Sequence, residues 1–200
     1  MRQRNRRALG RKALGRRSAG ALGRGFVGMF LGICLATPTA FAAEAPAWFM
    51  DHLEFMAKDG GRWVTSNTAF QSEAEPFDTY AMDWQWGLGK KTLKGRMYAL
   101  KDGKEVTTLW EFRTVWNPQL NKAYHYQFGG DGTLGIGVMN TTGEGRTASA
   151  QDFLLPDGGE FRAGHRNEHL KDGRFKTDSF DILPDGTWKA RRSYTWKRRE

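Results

Sequence analysis

The sequence predicts an all-β fold, an up-and-down barrel of about ten antiparallel strands closed by a short N-terminal helix. Three observations support this prediction. Apolar and polar residues alternate along most segments after the first quarter of the chain, as on strands with one buried face. Clusters of Gly, Asp, Asn and Pro interrupt the chain nine times, at the roughly 8–12-residue spacing typical of a sandwich or barrel. The turns are short, so neighbouring strands pair in chain order, and such a meander avoids exposed edges by closing on itself.

Residues 1–42 differ in composition from the rest of the chain. They carry nine Lys and Arg residues and no acid, which leaves 22 basic and 22 acidic residues in the remainder, so the formal net charge of +9 belongs entirely to this segment. The basic start, the apolar run over 25–41 and the small residues Ala40 and Ala42 are typical of a secretory signal peptide that is cleaved after Ala42. A membrane anchor is the alternative, because the run approaches the minimum length of a membrane span.

Cleavage would leave a single barrel domain over 43–200, in the periplasm or outside the cell. Its charges balance, so we expect no nucleic-acid partner and no stable membrane insertion after cleavage. Cys34 is the only cysteine and leaves with the signal, so the domain has neither a disulfide nor a thiol nucleophile. A domain of this length buries enough surface to fold without covalent crosslinks.

The only helix predicted in this domain spans Ala45–Lys58. Pro46 suits a first helical turn, where the missing N–H is not needed. The glycines that follow Asp59 end the helix. Its rough apolar stripe consists of Trp48, Phe49, His52, Leu53 and Met56.

Alternation places heavy aromatic side chains on one face of several strands. The first long hairpin is predicted to pair 78–86 with 90–100, across a glycine turn. The last hairpin is predicted to pair 174–183 with 187–197. The aromatic face of the last strand is predicted to consist of Trp188, Ala190, Arg192, Tyr194 and Trp196.

Several features of the chain carry a resemblance to a known superfamily. A Gly-Arg-Trp run at 61–63 follows the helix and opens the first strand, and Trp84-Gln-Trp86 lies in the next strand. The final strand is aromatic and ends in Tyr194 and Arg198. On these features the chain resembles the lipocalin-like (calycin) barrels, and it is most similar to a family of bacterial secreted domains of unknown function within them. The resemblance covers about residues 46–198, and it implies a barrel with an internal cavity but no settled activity.

Five side chains are predicted to line the interior and to bind a ligand: Trp84, Trp110, Tyr126, His165 and Arg192. A buried arginine needs a partner, so Arg192 either anchors a ligand carboxylate, forms an internal ion pair or reaches solvent at the strand end. His165 is expected either to be a hydrogen-bonded histidine at the barrel mouth or to orient a ligand. The nitrobindin-like barrels, whose ten strands match the predicted count, suggest a third role for His165 as an axial haem ligand.

The run from His165 to His169 matches the H-x-x-E-H pattern of a zinc peptidase group. That chemistry needs a helix, on which histidines four residues apart both reach one Zn²⁺. Gly164 and the Asp172-Gly173 turn flank the run and predict a strand instead, so no metal site is expected. The glycine-rich run 129–137 lacks the Lys and the helix of a phosphate loop and predicts a hairpin. The sequence predicts no catalytic residue and no required cofactor.

Three functions are compatible with these features. The first is a secreted barrel that binds a small apolar or amphipathic ligand in its interior. The second is a dry structural or protein-interaction barrel of the cell envelope, and the third is an enzyme or haem protein on the same scaffold. Aromatic alternation does not distinguish a filled interior from a hollow one. We favour ligand binding, because preformed apolar pockets with a few polar groups are typical small-molecule sites.

Overall fold

The structure, a computed structural model, describes residues 44–199, so the predicted signal peptide and its cleavage site lie outside the described residues. It contains one α-helix, α1 (Ala47–Ala57), and three short 3₁₀ segments at Lys58–Gly61, Thr68–Phe70 and Leu88–Lys90 within this range. The strands are β1 (Arg62–Ser66), β2 (Thr79–Trp86), β3 (Thr92–Lys101), β4 (Lys104–Asn117), β5 (Lys122–Gly129), β6 (Leu134–Gly143), β7 (Arg146–Leu154), β8 (Glu160–His169), β9 (Phe175–Ile182) and β10 (Trp188–Arg198).

The ten strands form a closed antiparallel barrel in chain order. β1 completes the circle by pairing with β10, with Trp63 opposite Arg198. Both predicted hairpins, β2–β3 and β9–β10, are confirmed. Each of the ten strands has a neighbour on both sides, which is how a barrel removes sheet edges. The predicted all-β barrel with a short N-terminal helix is therefore confirmed.

Helix α1 covers one end of the barrel. Pro46 precedes it in an extended conformation, and the helix ends at Ala57, so its predicted position is confirmed. Its buried face consists of Phe49, His52, Leu53 and Met56. None of the helices within residues 44–199 is long and apolar enough to cross a membrane.

The junction of α1 with β1 and β10 is built around Trp63, which is fully buried. Its indole N–H donates to the carbonyl of Met56 at 3.0 Å. The Arg198 guanidinium lies 4.0 Å from the centre of the Trp63 ring and donates to the carbonyls of Phe55 and Lys58. A cation over an indole face and two satisfied carbonyls thus fasten the end of the helix to the barrel.

The connection 67–78 between β1 and β2 lies at the other end of the barrel, and we call it the cover loop. β1 starts beside the helix and runs away from it, so its far end carries the loop. The Asn67 backbone N–H donates to the carbonyl of Asp78 at 2.8 Å, and the Asn67 side chain donates to the carbonyl of Phe77 at 3.2 Å. These two bonds tie the start of the cover loop to its end.

A bulge in β10 changes which of its side chains point inward. The register with β9 shifts between Ala190 and Arg192, which leaves Arg191 as an extra residue. The prediction that Trp188 and Ala190 share the inner face with Arg192 is therefore wrong. Trp188 lies on the outer face, where its ring occupies the space next to Gly164.

Candidate functional site

A cavity of about 530 Å³ lies inside the barrel between α1 and the cover loop. The helix contributes His52 and Met56 to one end, and the cover loop contributes Ala74, Glu75 and Phe77 to the other. Strands β2 to β10 supply the side walls. The volume falls within the range of roughly 300–1,000 Å³ that small-molecule sites occupy.

Strands β2 to β4 form an apolar wall. Trp84 lies nearly parallel to Phe112, with ring centres 5.2 Å apart and planes 14° apart. Gly95 lies beneath the Trp84 ring, and a Cβ at this position would be 2.6 Å from a ring carbon. Glycine is therefore needed for the indole to lie flat on β3. The other apolar side chains of this wall are Met82, Leu93, Met97, Leu109 and Trp110, and Tyr80 and Thr114 also line the cavity from these strands.

Strands β5 to β9 form a wall with many polar side chains. His125 Nδ1 and the Thr114 hydroxyl lie 2.8 Å apart in a hydrogen bond. Asn167 donates to the Thr147 hydroxyl at 3.2 Å. The polar side chains of this wall are His125, Gln127, Ser149, His165, Asn167, Thr177 and Ser179. Apolar side chains lie between them, namely Met139, Phe153, Phe161, Ala163 and Phe175. The cavity thus has one mainly apolar wall and one mixed wall, and it matches a molecule with an apolar body and a few polar groups.

All four histidines of the chain lie in the interior. His52, His125 and His165 line the cavity, and Nε2 of His169 lies 3.1 Å from Nδ1 of His52. Burial, together with neighbouring imidazoles, lowers the pKa of His52 and His125 to about 3. Burial also lowers the pKa of His165 and His169 to about 4, and the positive charge of Arg191 adds to the effect at His165. At neutral pH these side chains therefore offer hydrogen bonds without charge.

An ion pair between Glu75 and Arg192, which we call the clasp, holds the cover loop to the barrel wall. Two nitrogens of Arg192 donate to the Glu75 carboxylate at 2.6 and 2.9 Å, and the Tyr80 hydroxyl donates to it at 2.8 Å. The Arg192 hydrogen bonds lower the pKa of Glu75. Burial, reinforced by the bond to Glu75, raises the pKa of Tyr80. Arg192 also contacts the Tyr194 hydroxyl, which donates to Asn67 at 2.9 Å.

No known protein family matches the chain, and a comparison with curated proteins found no similar sequence. Four of the five predicted interior residues line the cavity: Trp84, Trp110, His165 and Arg192. Of the alternatives open for Arg192, the structure shows the internal ion pair.

Tyr126 does not line the cavity, contrary to the prediction. Its ring stacks on Tyr124 at 6.2 Å, whereas the alternate residues His125 and Gln127 face the interior. Alternation correctly separates the β5 side chains into an aromatic face and a polar face. The prediction takes the aromatic face as the inner one, and that choice is wrong. Because the inner wall of β5 is polar, hydrophobicity alone selects the wrong face.

The polar cavity residues that the sequence does not predict include Glu75, His125, Gln127 and Arg191. The sequence does contain a pattern that marks His125 and Gln127 as one face of β5, because they alternate strictly with aromatic residues. Glu75 lies in an irregular loop and Arg191 in a bulge, where period-two alternation gives no information.

The H-x-x-E-H run lies in β8, as predicted, so its histidines are not arranged as on a zinc-peptidase helix. His165 lines the cavity, whereas His169 packs under α1, its ring centre 3.7 Å from that of Phe55. Within the described range 44–199, no cluster of three or more His, Cys, Asp or Glu side chains is arranged to hold a metal ion. The motif thus contributes one histidine to the cavity wall and one to the helix contact.

Proposed function

We propose that this protein is a secreted or periplasmic barrel that binds a small apolar or amphipathic molecule in its interior. The observation that carries the proposal is the cavity of about 530 Å³ between α1 and the cover loop. A barrel with a purely structural role would gain dispersion energy by filling that volume with side chains. A cavity of this size therefore favours ligand binding over the dry-barrel alternative.

The two walls define the chemistry of the ligand. Burial against the apolar wall contributes about 0.8 kcal/mol per CH₂ group before the costs of binding. On the other wall, neutral His125 and His165 supply hydrogen bonds, so a polar group of the ligand is not left unsatisfied. A molecule with an apolar body and one polar region fits both walls.

The resemblance to the lipocalin-like (calycin) barrels supports the proposal. Two of the residues that carry it, Trp63 and Arg198, stack where the helix meets the closing strands. Trp84, from the second strand of the resemblance, lies in the cavity wall. The chemistry of the walls, rather than the fold, indicates the ligand class.

Tryptophan fluorescence tests the proposal, because Trp84, Trp110 and Trp196 line the cavity. Titration with dodecanoate and dodecanol should quench or shift the emission, with a micromolar Kd, or about −8 kcal/mol. Native mass spectrometry of the protein purified from its own periplasm should show a retained small molecule. Failure of both probes to bind would favour the dry structural barrel.

Haem binding is the second candidate function, and it is favoured by the imidazole of His165 in the cavity wall. Incubation with haemin, followed by absorption spectroscopy of the wild type, His165→Ala and His169→Ala, tests it. We expect no sharp Soret band that depends on either histidine. A Soret band present in the wild type and lost in His165→Ala would replace our proposal with haem binding.

We also propose that the chain is exported with removal of residues 1–42. The support is compositional: a basic start, an apolar run, and the small residues Ala40 and Ala42. N-terminal sequencing of the exported protein should begin at Ala43. An intact Met1 on membrane-embedded protein would show that the segment is an anchor.

A further inference from the structure

The bulge in β10 places two consecutive arginines against the cavity. Residues next to each other on a regular strand point to opposite faces, yet Arg191 and Arg192 both line the cavity. The register shift at this point explains the difference. Bulges re-aim side chains in this way and are over-represented beside functional sites.

The two guanidinium groups differ in what they already bind. Arg192 is engaged in the clasp through two short hydrogen bonds to Glu75. Arg191 forms a looser ion pair, in which its Nε lies 3.5 Å from Oδ1 of Asp181, and the two side chains are 48% and 44% exposed. Exposed pairs of this kind contribute only about 0–1 kcal/mol. Arg191 is therefore free to exchange Asp181 for another anion.

In the part of the cavity wall that the structure describes, no second carboxylate balances Arg191, whose partner Asp181 is not among the lining residues. Of the described residues 44–199 that line the cavity, Glu75 is the only one with a carboxylate. Of these same residues, Arg191 and Arg192 are the only ones with a guanidinium group. Glu75 and Arg192 neutralise each other in the clasp. The histidines of the wall are neutral at pH 7, because burial lowers their pKa. The positive charge of Arg191 also acts inside the cavity, since it contributes to the lowered pKa of His165. Once Arg191 exchanges Asp181 for a ligand, the wall is complementary to a single negative charge.

We propose that Arg191 binds the anionic head group of the ligand at the mouth of the cavity. The ligand class is then a single-chain amphipathic carboxylate, whose apolar chain lies beside Phe161 and Phe153 and extends toward Trp84. Phe161 is 38% exposed and lies, like Arg191, near the start of its strand at the cover-loop end. The inference rests on the proposed function and gives the head-group role to Arg191, not to the clasped Arg192.

Dodecanoate and dodecanol separate the contribution of the head group from that of the chain. At pH 7.5 the wild type should bind dodecanoate more tightly than dodecanol. Arg191→Met should weaken dodecanoate roughly tenfold and change dodecanol by less than about twofold, as expected for the loss of one charged hydrogen bond. Asp181→Asn removes the competing carboxylate and should tighten dodecanoate.

Arg162→Met is the matched control. Arg162 pairs with Asp152 at 2.7 Å, lines the outer surface near Trp188 and carries the same charge as Arg191. This variant should bind both probes like the wild type, with circular dichroism confirming that each variant is folded.

Several results would overturn the assignment. Equal affinity of the wild type for both probes, or equal weakening of both probes by Arg191→Met, would remove the head-group role. If Arg162→Met lost as much dodecanoate affinity as Arg191→Met, the loss would be due to the change in net charge and not to a contact with the head group. Failure of the wild type to bind either probe would instead overturn the proposed function, so the two failures are distinguishable.

Discussion

The Glu75 carboxylate joins the cover loop to two strands, since it accepts hydrogen bonds from Arg192 in β10 and from Tyr80 in β2. The side chains of Glu75 and Arg192 are about one-third exposed, at 31% and 30%. The pair is therefore partly shielded from water, and it is bidentate, which makes it stronger than a typical surface ion pair. Removal of one partner would leave the other as a partly buried, unpaired charge.

Glu75→Gln should loosen the cover loop. We expect the free energy of unfolding to fall by about 1–2 kcal/mol, a value discounted for the partial exposure of the pair. Amides tied to the loop, such as that of Asn67, should exchange hydrogen faster. Urea denaturation and hydrogen exchange measure these effects. Glu73→Gln is the control on the same loop, because Glu73 is exposed, and its effect should stay within about 0.5 kcal/mol. Equal exchange rates in the two variants would show that the clasp does not hold the loop.

The predictability of single site residues depends on the regularity of the strand that carries them. Trp84 and Trp110 alternate on long strands with apolar inner faces, so their position in the wall follows from the sequence. Tyr126 is misplaced because alternation defines two faces and does not say which one is enclosed. The partner of Arg192 could not be predicted, since Glu75 is 117 residues away and comes from an irregular loop.

At the scale of elements, α1 meets β8 through two histidines. His52 Nδ1 and His169 Nε2 lie 3.1 Å apart, so one imidazole must accept a hydrogen bond from the other and be neutral. The titratable groups that act on this pair from neighbouring positions are His125 on β5 and Asp51 on α1. Protonation of both rings would place two positive charges at hydrogen-bonding distance. The contact between the helix and the barrel is therefore stable in the neutral form.

The barrel should lose stability as the solution is acidified below pH 6.5. The histidines titrate near 6.5 in the unfolded chain, whereas burial lowers their pKa to about 3–4 in the folded chain. Between these values the unfolded state binds more protons, so stability is complete above pH 6.5 and falls as the pH approaches 4. In this range, each unit by which the pH falls lowers the free energy of unfolding by about 1.4 kcal/mol per histidine. Typical domains are stable by only about 5–15 kcal/mol, so the barrel should unfold before all four histidines titrate in the folded state.

Urea denaturation between pH 7.5 and pH 5 measures this dependence. His52→Gln keeps a polar side chain but removes one titrating group, so the slope of the unfolding free energy against pH should become shallower. The slope is the readout, because the variant also changes stability at every pH. A wild-type profile that is flat over this range would show that the histidines are not held neutral in the folded barrel.

Hairpins could be predicted from the sequence because their turns have local causes. Asp102 and Gly103, for example, both have positive φ, as a tight turn between antiparallel strands requires. The β10 bulge has no such local signal. The strand contacts β9 on both sides of the bulge, and Arg192 next to it bonds to Glu75, so the surroundings of the bulge are tertiary contacts. Arg191 therefore lies at a position that period-two alternation does not assign to either face.

On the scale of the whole molecule, the two ends of the barrel are closed by different elements, α1 at one end and the cover loop at the other. The helix end is buried, with Phe49 and Leu53 fully enclosed. The cover-loop end is more exposed and is held by the clasp. We therefore expect a ligand to pass through the cover-loop end, where Arg191 and Phe161 lie. Alternation predicts the barrel but not the volume of its cavity, because it shows which side chains share a face and not the space between them.

Filling the cavity tests most directly whether the ligand lies inside the barrel. Ala163 on β8 is 6% exposed and lines the cavity, whereas Ala148 on the neighbouring β7 lines the outer surface. Ala163→Phe adds a ring to the interior, and Ala148→Phe adds the same ring to the outside. In a dodecanoate titration, we expect folded Ala163→Phe to lose micromolar binding and Ala148→Phe to bind like the wild type. Unchanged binding in folded Ala163→Phe, or loss of binding only in Ala148→Phe, would contradict a binding site in the interior.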